Sequence, residues 1–275
     1  MRKRSLIFKT IFLISIVILI ISVFECDETN EGNEKEQLEI GKVYTPQNDY
    51  LVIVCIEARY REESGNYRGD LWISIYDTDS NFVEDALVEI NSVVIPYIED
   101  SYEDTSNGLN FNPGTEYFLT ITIGTEIIAE GLAIVPISPN ITYPSSGYTH
   151  TVNQQLNVEY DDIQNTTSAS IEIYCDCSGY PEYNDCQYVD EINSFPSGTY
   201  TIPSNYFIQP CEYCAIDIFP ISGLESGFVM GEMGIESLVE GEMELNAGYN
   251  IRGPKGAFFV TSEGINSSVS ISVEN

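Results

Sequence analysis

The chain has 275 residues, with 43 acidic against 11 basic side chains and a formal net charge of −32. Such a surface repels phosphate backbones, which excludes nucleic acid as a partner, and leaves cations, basic proteins or plain solubility as the use of the charge. A hydrophobic fraction of 43% supports a buried core and excludes global disorder, and the length allows one large or two ordinary domains.

The N-terminus carries Arg2, Lys3, Arg4 and Lys9 and continues as an apolar run from Thr10 to Phe24. A positive start before an apolar stretch of secretory length is an export signal. Cys26 directly follows, and then the polar run DETNEGNEKEQ, which resembles a bacterial lipoprotein start with the cysteine as lipid anchor. Phe24 and Glu25 stand where such signals have small residues, so an uncleaved anchor over Leu6 to Phe24 is the other reading. Either way, residues 1–26 are a signal peptide or membrane anchor, and the rest is expected outside the cytoplasm, at the cell surface or in the periplasm. Residues 27–41, with Asp27, Glu28, Glu31, Glu34, Glu36 and Glu39, read as a solvated acidic linker.

From about Val43 the pattern becomes short apolar runs broken by turn residues. LVIVCIEARY (51–60) is a strand, and LWISIYD (71–77) alternates through Leu71, Ile73 and Ile75. DTDSN (77–81) is a turn, after which Ala86, Val88 and Ile90 alternate again. NPGTEYFLTITIG (112–124) puts Tyr117, Leu119, Ile121 and Ile123 on one side. The return run to Val135 puts Ala129, Gly131 and Ala133 on one face with it. PISPNITYP (136–144) punctuates the end, and the domain boundary is placed there. The second half suggests strands at 152–160, 168–177, 198–202, 213–219, 257–261 and 267–273, with a glycine-punctuated excursion over 225–248. A period of two with regular turns predicts an all-β chain of antiparallel sandwiches, one over 42–137 and a cysteine-rich one over 138–275.

The run LWISIYDTDSNFVEDALVEINSVVIPY resembles exported bacterial immunoglobulin-like modules. The stretches GTYTIPSNYF, CEYCAIDIFPISG and GPKGAFFVTS resemble the fibronectin-III-like or immunoglobulin-like modules that often follow them. The resemblance covers most of 43–275 and implies tandem β-sandwiches acting as spacers, adhesion units or binding platforms. It names a fold and no chemistry.

Five of the seven cysteines, Cys175, Cys177, Cys186, Cys211 and Cys214, crowd into the second module. Export makes disulfides the expected state. Strand parity puts Cys175 and Cys177 on the inward face of 168–177, and Cys214 on the apolar face of 213–219. If those strands are neighbours, Cys175 meets Cys214 or Cys211, and Cys177 closes a short loop to Cys186. The competing reading is a four-thiolate zinc site from Cys175, Cys177, Cys211 and Cys214. Cys55 sits in an apolar run and reads as a buried free thiol.

The loop SGYPEYNDCQYVD (178–190) sets Tyr180, Tyr183 and Tyr188 beside Glu182, Asp185 and Asp190. Aromatic faces next to carboxylates suit sugar rings, so Tyr180, Tyr183, Asp185 and Tyr188 are the ligand-binding candidates. The bland alternative is a tyrosine-rich loop pinned by a disulfide. Asp77-Thr78-Asp79-Ser80-Asn81 resembles the start of a calcium loop, but Phe82 and Val88 stand where its glycine and glutamate belong, and a polar turn explains it. Glu99, Asp100, Glu103 and Asp104 make another acidic loop. The lone histidine, His150, falls in YTHT after Gly147 and reads as a surface residue. No nucleophile elbow, zinc-protease helix or phosphate loop occurs in the sequence. The expectation is a non-enzymatic surface protein without cofactor or metal, meeting the membrane through its anchor and a protein or glycan ligand outside. The alternative is a carbohydrate-binding or accessory module.

Overall fold

Alternation of apolar and polar side chains decides the strands, and every regular element among the described residues is a strand. The computed structural model describes residues 37–98, 101–102, 108–177, 186–192, 194–223 and 246–274, with the backbone alone at Ser101 and Cys186. The leader with Cys26, the acidic residues 99, 100, 103 and 104, and most of the excursion over 225–248 lie outside them.

The first half runs through β1 (Val43–Tyr44), β2 (Leu51–Arg61), β3 (Asn66–Tyr76), β4 (Leu87–Ile90), β5 (Val93–Ile95), β6 (Tyr97–Ile98), β7 (Ser101–Tyr102), β8 (Glu116–Ile123) and β9 (Glu126–Ile134). The second runs through β10 (Asn140–Tyr143), β11 (Tyr148–Thr151), β12 (Leu156–Asp161), β13 (Ser168–Asp176), β14 (Cys186–Ile192), β15 (Gly198–Ile202) and β16 (Cys211–Ser222). It finishes with β17 (Gly248–Tyr249), β18 (Ile251–Arg252), β19 (Lys255–Glu263) and β20 (Ser268–Glu274). Turn chemistry closes the hairpins. Asn91 and Ser92 both take positive φ, at 50° and 65°, between β4 and β5, the backbone that a tight two-residue hairpin needs.

Two hydrophobic bodies result. In the first, the sheet β18-β9-β8-β4-β5 packs against β19-β2-β3-β7-β6. Val52, Val54, Ile56, Leu71, Ile73 and Ile75 meet Val88, Tyr117, Leu119 and Ile121 in one core. In the second, β10-β12-β15 packs against a sheet containing β14, β13, β16, β20 and β11, around Val158, Ile171, Ile173, Ile216 and Ile271.

The two bodies are not successive segments of chain: β17, β18 and β19 follow the strands of the second body in sequence but pair with β1, β9 and β2 of the first. Residues from Leu38 to Asn275 form one unit. The chain completes the second body only after returning to the first, where β19 lies parallel to β2 in register from Lys255↔Leu51 to Glu263↔Arg59. β18 meanwhile pairs with β9 on the opposite sheet. The stitch is β16: its first part pairs with β20, and Ile221 and Ser222 at its end pair with Thr261 and Val260 of β19. One sheet thus continues through both bodies.

This placement explains why β2 and β19 are apolar on both faces. Phe258 and Val260 face the first core, while Ala257 and Phe259 join Ile53, Cys55 and Ile221 in a third cluster on the other side of the sheet. A strand covered on both faces loses the polar half of its alternation. Among the described strands the pairings are antiparallel apart from β2–β19, β11–β20 and β17–β19, which are parallel.

Candidate functional site

The cysteines gather at one end of the second body. β13 lies antiparallel to β16 with Cys175 opposite Cys214, and the two are bonded, with Cα atoms 4.0 Å apart. Cys177 is bonded to Cys211, which corrects the expected short loop from Cys177 to Cys186. The reason is a register shift in β16 between Cys211 and Cys214. Glu212 and Tyr213 are both exposed there, while the cysteines on either side are buried. A bulge of this kind turns two residues of unlike parity to one face. The sulfurs of Cys175, Cys211 and Cys214 lie within 4.8 Å of one another. They are held in two disulfides, which leaves these sulfurs no thiolate to offer a metal. Cys55 is the free cysteine among the described side chains; burial, and then the nearby Glu57 carboxylate, push its thiol well up, making it a poor nucleophile.

Of the loop candidates, Tyr180, Tyr183 and Asp185, with Glu182, lie outside the described residues. Tyr188 and Asp190 stand two residues apart on β14 and so share a face. Their partner, missed in the sequence, is Tyr200 on β15, in the opposite sheet. The Tyr188 hydroxyl donates to Asp190 Oδ2 at 2.9 Å, the Tyr200 hydroxyl donates to the same oxygen, and the two hydroxyl oxygens are 2.6 Å apart. The Glu191 amide donates to the other carboxylate oxygen at 2.8 Å. Among the described residues β14 and β15 are edge strands, each with one paired neighbour. The three side chains therefore clasp the open edge of the sandwich, and the Tyr188 hydroxyl is engaged inside the protein.

The clasp has an electrostatic signature. The Tyr200 hydroxyl, more than any other group, holds the Asp190 carboxyl below the usual carboxylate range, against the opposing effect of burial. Burial, and then Asp190 itself, push the Tyr200 phenol far up. A lowered carboxylate stabilises the fold above its unfolded value of about 4, and that contribution is lost as pH falls through the native value. The raised phenol acts in the other direction, holding below its unfolded value of about 10 and failing as pH rises from there. Tyr200→Phe is expected to cost about 2 kcal/mol at neutral pH, the worth of a hydrogen bond to a charged group. It should also flatten the acid limb of stability below about pH 4. Urea unfolding of both proteins across that range measures the effect, and equal acid slopes would contradict it.

Aromatic contacts extend from the clasp toward the opposite edge. Tyr188 packs on Tyr206 with ring centroids 5.3 Å apart, Tyr206 on Phe207 at 5.2 Å, and Phe207 on His150 at 4.6 Å. His150 is therefore no surface residue. It is 4% exposed, and its Nε2 bonds the Gln154 carbonyl at 2.9 Å. The turn closes earlier than expected, at Gly147 with φ 82°, so Tyr148–Thr151 forms β11 beside β20 and alternation sends His150 inward.

The calcium-like segment folds as a polar turn. One oxygen of Asp77 accepts the amides of Asp79 at 2.9 Å and Asn81 at 2.8 Å. The Asn81 amide, ahead of the other contributions, lowers the Asp77 carboxyl. A shallow cleft of about 220 Å³ lies where the crossing from the first body meets the β19–β20 turn, lined by Tyr67, Ser138, Asp162, Gln164, Ile265 and Asn266. No sequence motif pointed to it.

No protein-family model matches this chain, and no curated protein matches it either. Among solved structures it is similar to the fibronectin(III)-like modules of Clostridium thermocellum CbhA. That alignment covers 82% of this chain and 92% of that one, at 10% identity and a TM-score of 0.24. No residue role is carried over from it. What stands on the structure's own strands is an all-β chain of packed sheets.

Proposed function

We propose that this chain is a non-enzymatic, exported protein tethered to a membrane, whose β bodies form a rigid platform for adhesion, ligand binding or envelope structure. The observation that carries the reading is the pair of disulfides joining β13 to β16. Bonds of this kind persist in oxidising compartments and are rare in the cytosol. The basic and apolar leader and the acidic linker supply the route out and the tether. The polar groups of the Tyr188–Asp190–Tyr200 cluster serve each other across two sheets, which favours a structural part over a sugar subsite there.

Fractionation of expressing cells tests the reading. The protein is expected in the membrane fraction, sensitive to protease added outside and with the four bonded cysteines protected from alkylation until reduced. Fatty-acid labelling lost in Cys26→Ser would identify the anchor as a lipid; retention at the membrane without labelling would identify an uncleaved segment. Recovery from the cytosol with alkylatable Cys175 and Cys214 would sink the proposal. A glycan array on the wild type and Tyr183→Ala separates the carbohydrate alternative, which requires binding that the substitution abolishes.

A further inference from the structure

Leu87 of β4, Val94 of β5, Phe118 of β8 and Ile127 of β9 are large, apolar and between 45% and 56% exposed. Register puts them on one face. Leu87 and Ile127 both stand opposite Thr122, Glu89 stands opposite Val94 and Thr120, and Phe118 stands opposite Leu132. Directly paired residues share a side of the sheet, and so do residues two apart on one strand. This is the outer side, because the alternate residues Val88, Ile90, Leu119 and Ile121 belong to the first core. Half-buried Leu132 and Ile134 lie on it as well.

The second body shows what solubility alone selects at the matching place. The outer face of β12 and β15 carries Asn157 opposite Thr201 and Glu159 opposite Thr199, all exposed and polar. Nothing about staying dissolved requires the first body to differ. Exposed apolar groups gathered on one face mark a contact surface.

We propose that the outer face of β9, β8, β4 and β5 is the docking surface of the platform. Its occupant is a protein surface carrying basic side chains between apolar ones. The charge on the face selects that occupant. Glu89, Thr120 and Glu130 form a row across the sheet, with Phe118 and Leu132 on one side of it and Leu87 and Ile127 on the other. Glu116, opposite Ile134, adds a carboxylate beside the first apolar group. Arg252 is paired with Glu130, whereas Glu89 and Glu116 have no salt bridge among the described residues. Lysine or arginine lays its alkyl stem on apolar surface while its charge meets a carboxylate, which is the complement of this pattern. A second copy of the chain would set acid against acid, with a net charge of −32 on each, and an anionic bilayer would meet the same repulsion. The surface deepens the reading of the chain as an exported platform and rests on it.

The test puts the photo-crosslinking residue benzoylphenylalanine in place of Thr120, at the middle of the face, or of Asn157 on the polar face. Both full-length proteins are irradiated in their own cells. A discrete protein adduct is expected from the first and none from the second. Mass spectrometry should place the crosslink on a partner segment with lysine or arginine between apolar residues. Adding Phe118→Ser with Ile127→Ser should reduce the adduct by about tenfold or more. Glu89→Lys should do the same with every apolar side chain left in place, so the two variants check each other if one fails to fold. An adduct with a second copy, with lipid, or with a segment lacking basic residues overturns the assigned occupant. Equal adducts from both positions, or an adduct that survives both variants, overturn the surface. No adduct from protein that still fractionates with the membrane overturns the surface and leaves the export reading standing, whereas recovery from the cytosol removes both.

Discussion

Removing one disulfide, as Cys175→Ala with Cys214→Ala, is expected to lower stability by about 2 kcal/mol, and removing both by about 6 kcal/mol. The two bonds span 39 and 34 residues, one loop nested inside the other. With either bond intact, the second only tightens a ring of about seven residues, which restricts the unfolded chain little. Once both are gone, the full loop is freed and the cost exceeds the sum of the single losses. Urea unfolding of the wild type, the two paired-alanine variants and the four-alanine variant measures this. A four-alanine variant no less stable than either pair variant would show that the bonds do not restrict the unfolded chain in this way. The same comparison done under reductant should abolish most of the differences, because the wild type then loses both constraints.

Gly256→Ala is expected to destabilise by more than about 4 kcal/mol, in the range reserved for severe backbone and packing faults. Gly256 lies at φ 127°, a conformation that L side chains rarely adopt, and opposite Val52 in the parallel pairing of β19 with β2. A Cβ placed there falls 1.8 Å from the Val52 carbonyl oxygen and 2.7 Å from its carbonyl carbon. These are backbone atoms in the middle of a sheet and cannot swing aside. Relief requires separating β19 from β2, which exposes Phe258 to one side and Phe259 to the other. Thermal unfolding followed by tryptophan fluorescence reports it directly, since Trp72 packs against the third cluster on the neighbouring strand. A loss under about 1 kcal/mol would mean that β19 can leave β2 at little cost, against the burial of both its faces.

The strands were legible where one face meets a core and the other meets water. Leu71, Ile73 and Ile75 on β3, and Tyr117, Leu119 and Ile121 on β8, alternate as read and are buried as read. Short strands such as β5, β6, β17 and β18 gave no such signal, because two or three residues do not establish a period. The candidate site was legible in part. The crowding of five cysteines and the inward parity of Cys175 and Cys214 pointed to a bond between those strands. Cys211 was out of phase with Cys214 in a regular strand, and only the register shift in β16 turns it inward. Tyr188 and Asp190 stood out as an aromatic beside an acid. Tyr200, their partner, sat in an ordinary strand pattern, and nothing local tied it to them.

By itself the sequence determined the acidic balance and the β character, because each depends on composition or on a period fixed by backbone geometry. The tertiary structure alone decided which strands are neighbours. β19 leaves its sequence neighbours to complete the first body, and β16 pairs with it, so one sheet runs through both bodies. Pairing between distant segments is selected by which faces need covering once everything else has folded. That information is distributed over the whole chain and is written in no single stretch of it.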